Sequence, residues 1–256
     1  MDIMKGADKT LYVLEYILSH QDTEFSVTCL AKELGYSKTV MHRILQTLLY
    51  RGYLSQNEQV GCYTISPKLM ELGSKAQEKF GLLEVARPHL KTLNQKTGET
   101  VNIGVLTGVE VTYLDKIDST NFLRTDLRVG TRVPAYCSAL GKALFSFHCD
   151  DSILDQISFQ QFTDRTITDR DGLKHELANI KMQGYALDNE EYIPGVRCLA
   201  VPIGRGAKAM PVAISVAGPT FRLTGDRLME LVDNLKQVAV DLDDKFYGRA
   251  IKNEEG

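Results

Sequence analysis

The stretch Leu34-Gly35-Tyr36-Ser37-Lys38-Thr39-Val40-Met41-His42-Arg43-Ile44-Leu45-Gln46-Thr47-Leu48-Leu49-Tyr50 decides how this chain is read. Val40, Ile44 and Leu48 form one apolar row at helical spacing, and Met41, Leu45 and Leu49 form the row beside it. Lys38, Thr39, His42, Arg43, Gln46 and Tyr50 fill the opposite face, three or four residues apart. Ser37 is placed to cap this helix, and Gly35 suits the left-handed residue just past a preceding short helix. Between Leu34 and Asn57 stand three basic residues and no acidic one. A helix that enters the major groove needs an apolar side to anchor it and donors aimed at phosphates and base edges. A carboxylate on that face would repel the phosphates.

Working outward, Leu11, Leu14 and Leu18, widened by Val13 and Ile17, predict a first helix that ends in the polar residues 20–24. Ser26 can cap a short second helix over residues 27–34. After Gly52, two strand-like runs, residues 53–56 and 62–66, flank a polar turn at 57–61. Helix, short helix, tight turn, amphipathic helix and hairpin together predict a winged helix-turn-helix over residues 1–66. The third helix alone would fit the solvated face of any small helical domain; the combination favours DNA. Ser37, Lys38, Thr39, His42, Arg43 and Gln46 are the candidate contacts, with Arg43 on phosphate, Gln46 on a base edge and His42 on either. The basic character is local, because residues 1–66 carry six basic and seven acidic groups.

The whole chain of 256 residues has a net charge of −3, which excludes a globally basic nucleic-acid coat. Its 43% apolar and 25% charged composition excludes collagen-like, low-complexity and wholly disordered chains. Five widely spaced cysteines with no CxxC argue against a disulfide framework or a thiolate zinc site and favour a reducing compartment. His20, His89, His148 and His175 show no ligand spacing, so neither a metal nor another cofactor is expected. With no apolar run near 18 residues and no signal-like start, a cytoplasmic protein is expected.

Ser66 and Pro67 open a helix carrying Leu69, Leu72, Ala76 and Phe80, expected as a linker over residues 67–80. A further helix over 82–97 ends at Gly98. From Glu99 apolar and polar residues alternate, as in Val101, Ile103 and Val105, then Val109, Val111 and Tyr113, then Leu123 to Val129. Helices near 138–147, 151–157 and 172–183 follow. Strands near 196–203 and 211–217 come next, before a long closing helix with Leu228, Leu231, Leu235, Val238 and Leu242. Hairpins with helices clustered between them predict an α+β domain over residues 81–256.

The chain resembles the IclR family of bacterial transcription regulators. The resemblance rests on residues 34–45, on Gly130-Thr131-Arg132-Val133-Pro134 and on Ser138-Ala139-Leu140-Gly141-Lys142-Ala143. It continues through residues 184–191 and 195–202, in matching order and spacing. It implies a winged-helix domain joined to an effector domain related to the GAF/profilin-like fold. It also implies a homodimer or dimer of dimers on operator DNA near a catabolic operon, acting as a repressor, with a small organic acid altering DNA binding.

Small residues opening the helix at Ser138, Ala139, Leu140 and Gly141 leave backbone N–H groups reachable, and the helix dipole favours an anion there. The same residues would equally let the helix pack closely on a sheet. The resemblance further implies effector contacts from Asp188, Cys198 and Ser215. Asp188 would accept hydrogen bonds from ligand hydroxyls, which suits a hydroxylated acid such as a sugar acid. Ala217 stands where some relatives carry a second serine, and one polar contact is missing. Arg128 and Arg132 are placed near the expected pocket mouth, where they could pair a carboxylate. Two rival readings are a cysteine-dependent enzyme using Cys137 or Cys198 as nucleophile, and a redox sensor built on those thiols.

Overall fold

A computed structural model describes residues 3–20, 24–57, 59–122, 127–204 and 210–253. The chain divides into two units, Met1–Phe80 and Gly81–Gly256.

In the first unit the helices are α1 (Lys5–Ser19), α2 (Val27–Glu33) and α3 (Lys38–Tyr50). Ser26 caps α2 by accepting from Cys29 N at 3.1 Å, and Ser37 caps α3 by accepting from Val40 N at 3.3 Å. Gly35 between them has φ +69°, a conformation that costs a side chain strain, so the tight turn rests on it. Strands β1 (Leu54–Gln56) and β2 (Tyr63–Ile65) pair antiparallel as the wing. Val13, Ile17, Leu30, Met41, Ile44, Leu45, Leu48, Leu54 and Tyr63 make one buried core. Val40 is not part of it. Ile44 and Leu48 of its row are buried, but Val40 itself, in the first turn of α3, is 36% exposed at the edge of the polar face. Helix α4 (Lys68–Phe80), the segment expected as a linker, groups with this unit.

The second unit is a six-stranded antiparallel sheet in the order β5-β4-β3-β8-β7-β6. Its strands are β3 (Thr100–Thr107), β4 (Glu110–Ile117), β5 (Arg132–Pro134), β6 (Ala186–Asn189), β7 (Val196–Ile203) and β8 (Val212–Pro219). Helices α5 (Leu82–Thr97) and α8 (Gly225–Asn253) cover one face, packing on Val101, Ile103, Leu199, Val201, Ile214 and Val216. Helices α6 (Ala139–His148) and α7 (Arg170–Gln183) cover the other. Alternation along each strand divides the two sets. The α6 face is lined with small residues, Ala200, Ala213 and Ala217, so the helix approaches closely. Gly141 packs α6 on the 3₁₀ turn that precedes it: a Cβ there would lie 2.2 Å from Ala135 Cα.

Several expectations are corrected. The helix expected near 151–157 is present as a 3₁₀ helix over Asp151–Gln156. Of the strand expected over 123–129, residues 123–126 lie outside the described residues, and 127–129 are not strand. The short strands β5 and β6 are additional.

Candidate nucleic-acid interface and effector pocket

Helix α3 turns about 100° per residue, which puts Met41, Ile44, Leu45 and Leu48 on the core side. Ser37, Lys38, Thr39, His42, Arg43 and Gln46 are all exposed. The structure therefore gathers all six candidate residues on one surface. Two of them have prior engagements. The Ser37 hydroxyl caps the helix, and Gln46 Nε2 donates to Tyr63 Oη at 3.0 Å, tying α3 to the wing. Gln46 keeps its carbonyl and one amide hydrogen for other partners. A shallow groove runs beside this surface between α1 and α3, lined by Lys5, Gly6, Lys9, Thr10, Val40, Arg43, Ile44 and Thr47.

In the second unit, Ser138, Ala139, Asp188 and Cys198 line an enclosed cavity together with Asn102, Tyr113, Leu127, Val133, Tyr192, Ile193, Val196 and Ala217. Its volume is about 20 Å³, room for a water molecule but not for a six-carbon acid. Leu140, Gly141 and Ser215 do not line it. Leu140 is fully buried in the core beneath α6. The Gly141 N–H is taken by its own cap, Ser138 Oγ, at 3.2 Å. Ser215 is fully buried and accepts from Asn102 Nδ2 at 3.2 Å, so Asn102 stands at the cavity in its place. Arg128 and Arg132 do not reach it either. Arg132 is 57% exposed and lies 3.9 Å from Glu110, because β5 pairs with β4 at the sheet edge.

Asp188 Oδ1 accepts from Glu191 N at 2.7 Å. Burial, and then the Glu191 charge, push its carboxyl up to about 7, so it is about half protonated at pH 7 and carries its proton below that. Burial also pushes the Cys137 and Cys198 thiols up to about 12. A nucleophilic or readily oxidised cysteine needs thiolate, which these positions suppress. Burial likewise raises the Tyr113 hydroxyl well above its ordinary value, leaving it a donor.

A group absent from the expected site stands next to it. Lys142 is fully buried, and its Nζ donates to Glu191 Oε1 at 2.6 Å, Glu176 Oε1 at 3.1 Å and the Leu187 carbonyl at 2.6 Å. All three ammonium hydrogens are used, so Lys142 fixes the segment after β6 and is not available to a ligand. Thr163 and Thr166 hydroxyls donate to the Glu190 and Glu191 carbonyls at 2.6 Å each, holding the same segment from its outer side. Its turn includes Glu190 at φ +67°. The signal for Lys142 was a lone cation in the apolar helix Ala-Leu-Gly-Lys-Ala-Leu-Phe, whose partners lie 34 and 49 residues away.

A winged helix-turn-helix followed by an α+β domain with an enclosed polar cavity defines a DNA-binding transcriptional regulator with a separate regulatory domain. The model of the IclR helix-turn-helix domain matches residues 6–58, and that of the bacterial transcriptional regulator IclR C-terminal domain matches residues 74–244. This chain belongs to the IclR family of transcriptional regulators. It is similar to the HTH-type transcriptional regulator BhcR of Paracoccus denitrificans, 34% identical over 99% of this chain and 90% of the relative. It is also similar to the DNA-binding transcriptional repressor YiaJ of Escherichia coli, 32% identical over 94% of this chain and 84% of the relative. A solved IclR homolog from Microbacterium hydrocarbonoxydans, complexed with 4-hydroxybenzoate, shares the fold at 21% identity. Its TM-score is 0.81, covering 95% of this chain and 99% of that one. Among the described residues no helix is long and apolar enough to cross a membrane.

Proposed function

We propose that the protein is a repressor of a catabolic operon that binds its operator as a homodimer or dimer of dimers and is controlled by a small organic acid. Residues 1–66 form the DNA-binding domain, residues 67–80 the connector, and residues 81–256 the effector and oligomerisation domain. Lys38, Thr39, His42, Arg43 and Gln46 contact DNA, and Ser37 presents the helix to it. Two copies place their third helices in successive major-groove segments about 34 Å apart. The single observation that carries this reading is the acid-free surface of α3, where every candidate side chain is exposed. The repressor name of the Escherichia coli relative supports the direction of control.

The effector enters beside Ser138, Ala139, Asp188 and Cys198. The N–H group of Ala139, which lines the cavity, heads α6, where helices lack internal partners, and it suits a carboxylate. Asp188, Tyr113 and Asn102 suit hydroxyls. A sugar acid meets both demands, and the 4-hydroxybenzoate complex of a homolog supplies a second hydroxylated acid. The cavity must widen to admit either, and Leu127, Tyr192 and Ile193 are lining residues carried on loops. Widening there gives the effector a differential affinity for two states of the protein, which is what a population shift requires.

Fluorescence anisotropy on the DNA upstream of its own gene, with competitor DNA and a salt series, tests the reading. Tight, competitor-resistant and salt-steep binding is expected. Binding that competitor removes at every salt concentration, with and without acids, would overturn it.

A further inference from the structure

The groove between α1 and α3 lies beside the surface assigned above, and three cations stand over it. Val40, Arg43, Ile44 and Thr47 line its α3 wall, at the spacing of a single helix flank. Lys5, Gly6, Lys9 and Thr10 line the α1 wall in the same way. The hydroxyls here are spent locally. Thr10 Oγ1 donates to Gly6 O at 2.9 Å, and Thr47 Oγ1 donates to Arg43 O at 2.8 Å. The cations are not spent. Among the described residues Lys5, Lys9 and Arg43 take part in no ion pair, whereas Lys68, Lys75, Lys116 and Lys142 each have an oxygen partner. Lys9 is nonetheless held in place, its Nζ lying 5.3 Å from the centre of the Tyr36 ring in the turn before α3. No carboxylate lines the groove; Asp8, the acid of the first turn of α1, is not among its residues.

An open trough about as wide as the gap between two helices, with unpaired cations on both walls, fits a run of phosphodiester. It does not fit a small metabolite, because it is not enclosed. We propose that Lys5 and Lys9 join Arg43 in gripping one DNA backbone strand, so that α1 sets the depth and register at which α3 sits in the groove. This rests on the DNA-binding reading. It keeps Arg43 on phosphate and leaves base discrimination to Lys38, Thr39, His42 and Gln46. Phosphate contacts position a protein without reading sequence, so this grip acts equally on all duplexes.

The test compares full-length wild type with Lys5→Gln/Lys9→Gln on two labelled duplexes across a salt series. One duplex carries the DNA upstream of the gene, and the other has a scrambled sequence. Two lost phosphate contacts in each bound protomer, four in a bound dimer, should reduce the slope of log affinity against log salt by about 4 and weaken binding more than ten-fold near physiological salt. The loss should be the same on both duplexes, leaving their affinity ratio unchanged. Lys5→Arg/Lys9→Arg should restore the slope. Lys91→Gln, an exposed lysine of the second unit, should leave it alone. Far-UV circular dichroism checks that the variants fold. An unchanged slope in Lys5→Gln/Lys9→Gln overturns the inference, as does an equal change in Lys91→Gln or a loss confined to one duplex. Those results leave the DNA-binding reading intact. Failure of the wild type to bind either duplex would overturn both.

Discussion

Replacing Asp188 with asparagine separates burial of a carboxyl group from burial of its charge. In the folded protein the Asp188 carboxyl is pushed up to about 7, first by burial and then by Glu191. In the unfolded chain it returns to the ordinary value of about 3.9. Between those values the folded state holds a proton that the unfolded state has released, so stability must fall as pH rises through this window. Near pH 5.5 the slope is about 1.4 kcal/mol per pH unit, it falls to about half that at the folded value, and the loss from pH 5.5 to pH 8 comes to about 2 kcal/mol. The asparagine variant cannot titrate there, yet its oxygen can still accept the Glu191 N–H. Other groups facing the site also contribute. Burial pushes the Glu191 carboxyl up more than Lys142 pulls it down, and the thiols of Cys137 and Cys198 stay protonated throughout. These contributions are nearly common to both proteins, so the difference between the two pH profiles isolates Asp188 and its coupling to Glu191. Urea denaturation at equal protomer concentration, at pH 5.5 and pH 8, measures it. Wild type should lose about 2 kcal/mol more than Asp188→Asn over that range. Parallel profiles would refute the claim that Asp188 is protonated in the folded state, and with it the choice of Asp188 as a neutral partner for ligand hydroxyls.

Four further outcomes follow from the same geometry. Arg43→Ala should weaken operator binding by about 1–3 kcal/mol per bound protomer and lower the salt slope by about 2 for a bound dimer, while acid affinity measured by calorimetry stays the same; equal loss of both would point to misfolding. Lys142→Met strands Glu191 and Glu176 and should cost about 3–5 kcal/mol in urea denaturation, because a buried charge is left without its partner. Gly141→Ala drives a methyl into the Ala135 backbone and should cost about 3 kcal/mol or more, seen as a lowered thermal midpoint of the second unit. At pH 8 native Cys137 and Cys198 should react with a thiol reagent far more slowly than the exposed Cys29, and they should catch up only on unfolding.

The recognition helix was legible because its burial follows a single period and its cap, Ser37, precedes it directly. The same holds for Ser26 on α2 and for Gly98, which closes α5 at φ +70°. Strands β3, β4, β7 and β8 were legible from their eight-residue length. Strands β5 and β6 were not. They are three and four residues long, too short to show alternation, and exist because a neighbouring strand pairs with them. The pocket was half legible. Ser138, Ala139, Asp188 and Cys198 line it, but helix-opening position alone also nominated Leu140 and Gly141, which α6 turns into the core. Asn102 and Tyr113 sit on strands covered by helices on both faces, so polarity gave no sign of which face held the cavity. Lys142 makes its ion pairs across long sequence separations, and no local pattern reveals such a group.

The most direct test asks whether acid and DNA communicate. Calorimetric affinities for a panel of aldonic and keto-sugar acids and 4-hydroxybenzoate would be measured on the full chain, with and without a saturating upstream duplex. A regulator of this kind should bind at least one acid with affinities that differ between the two conditions by the same factor by which that acid changes the duplex affinity, as linkage demands. Equal affinities with and without DNA, across every acid that binds, would contradict control of the operator through this pocket.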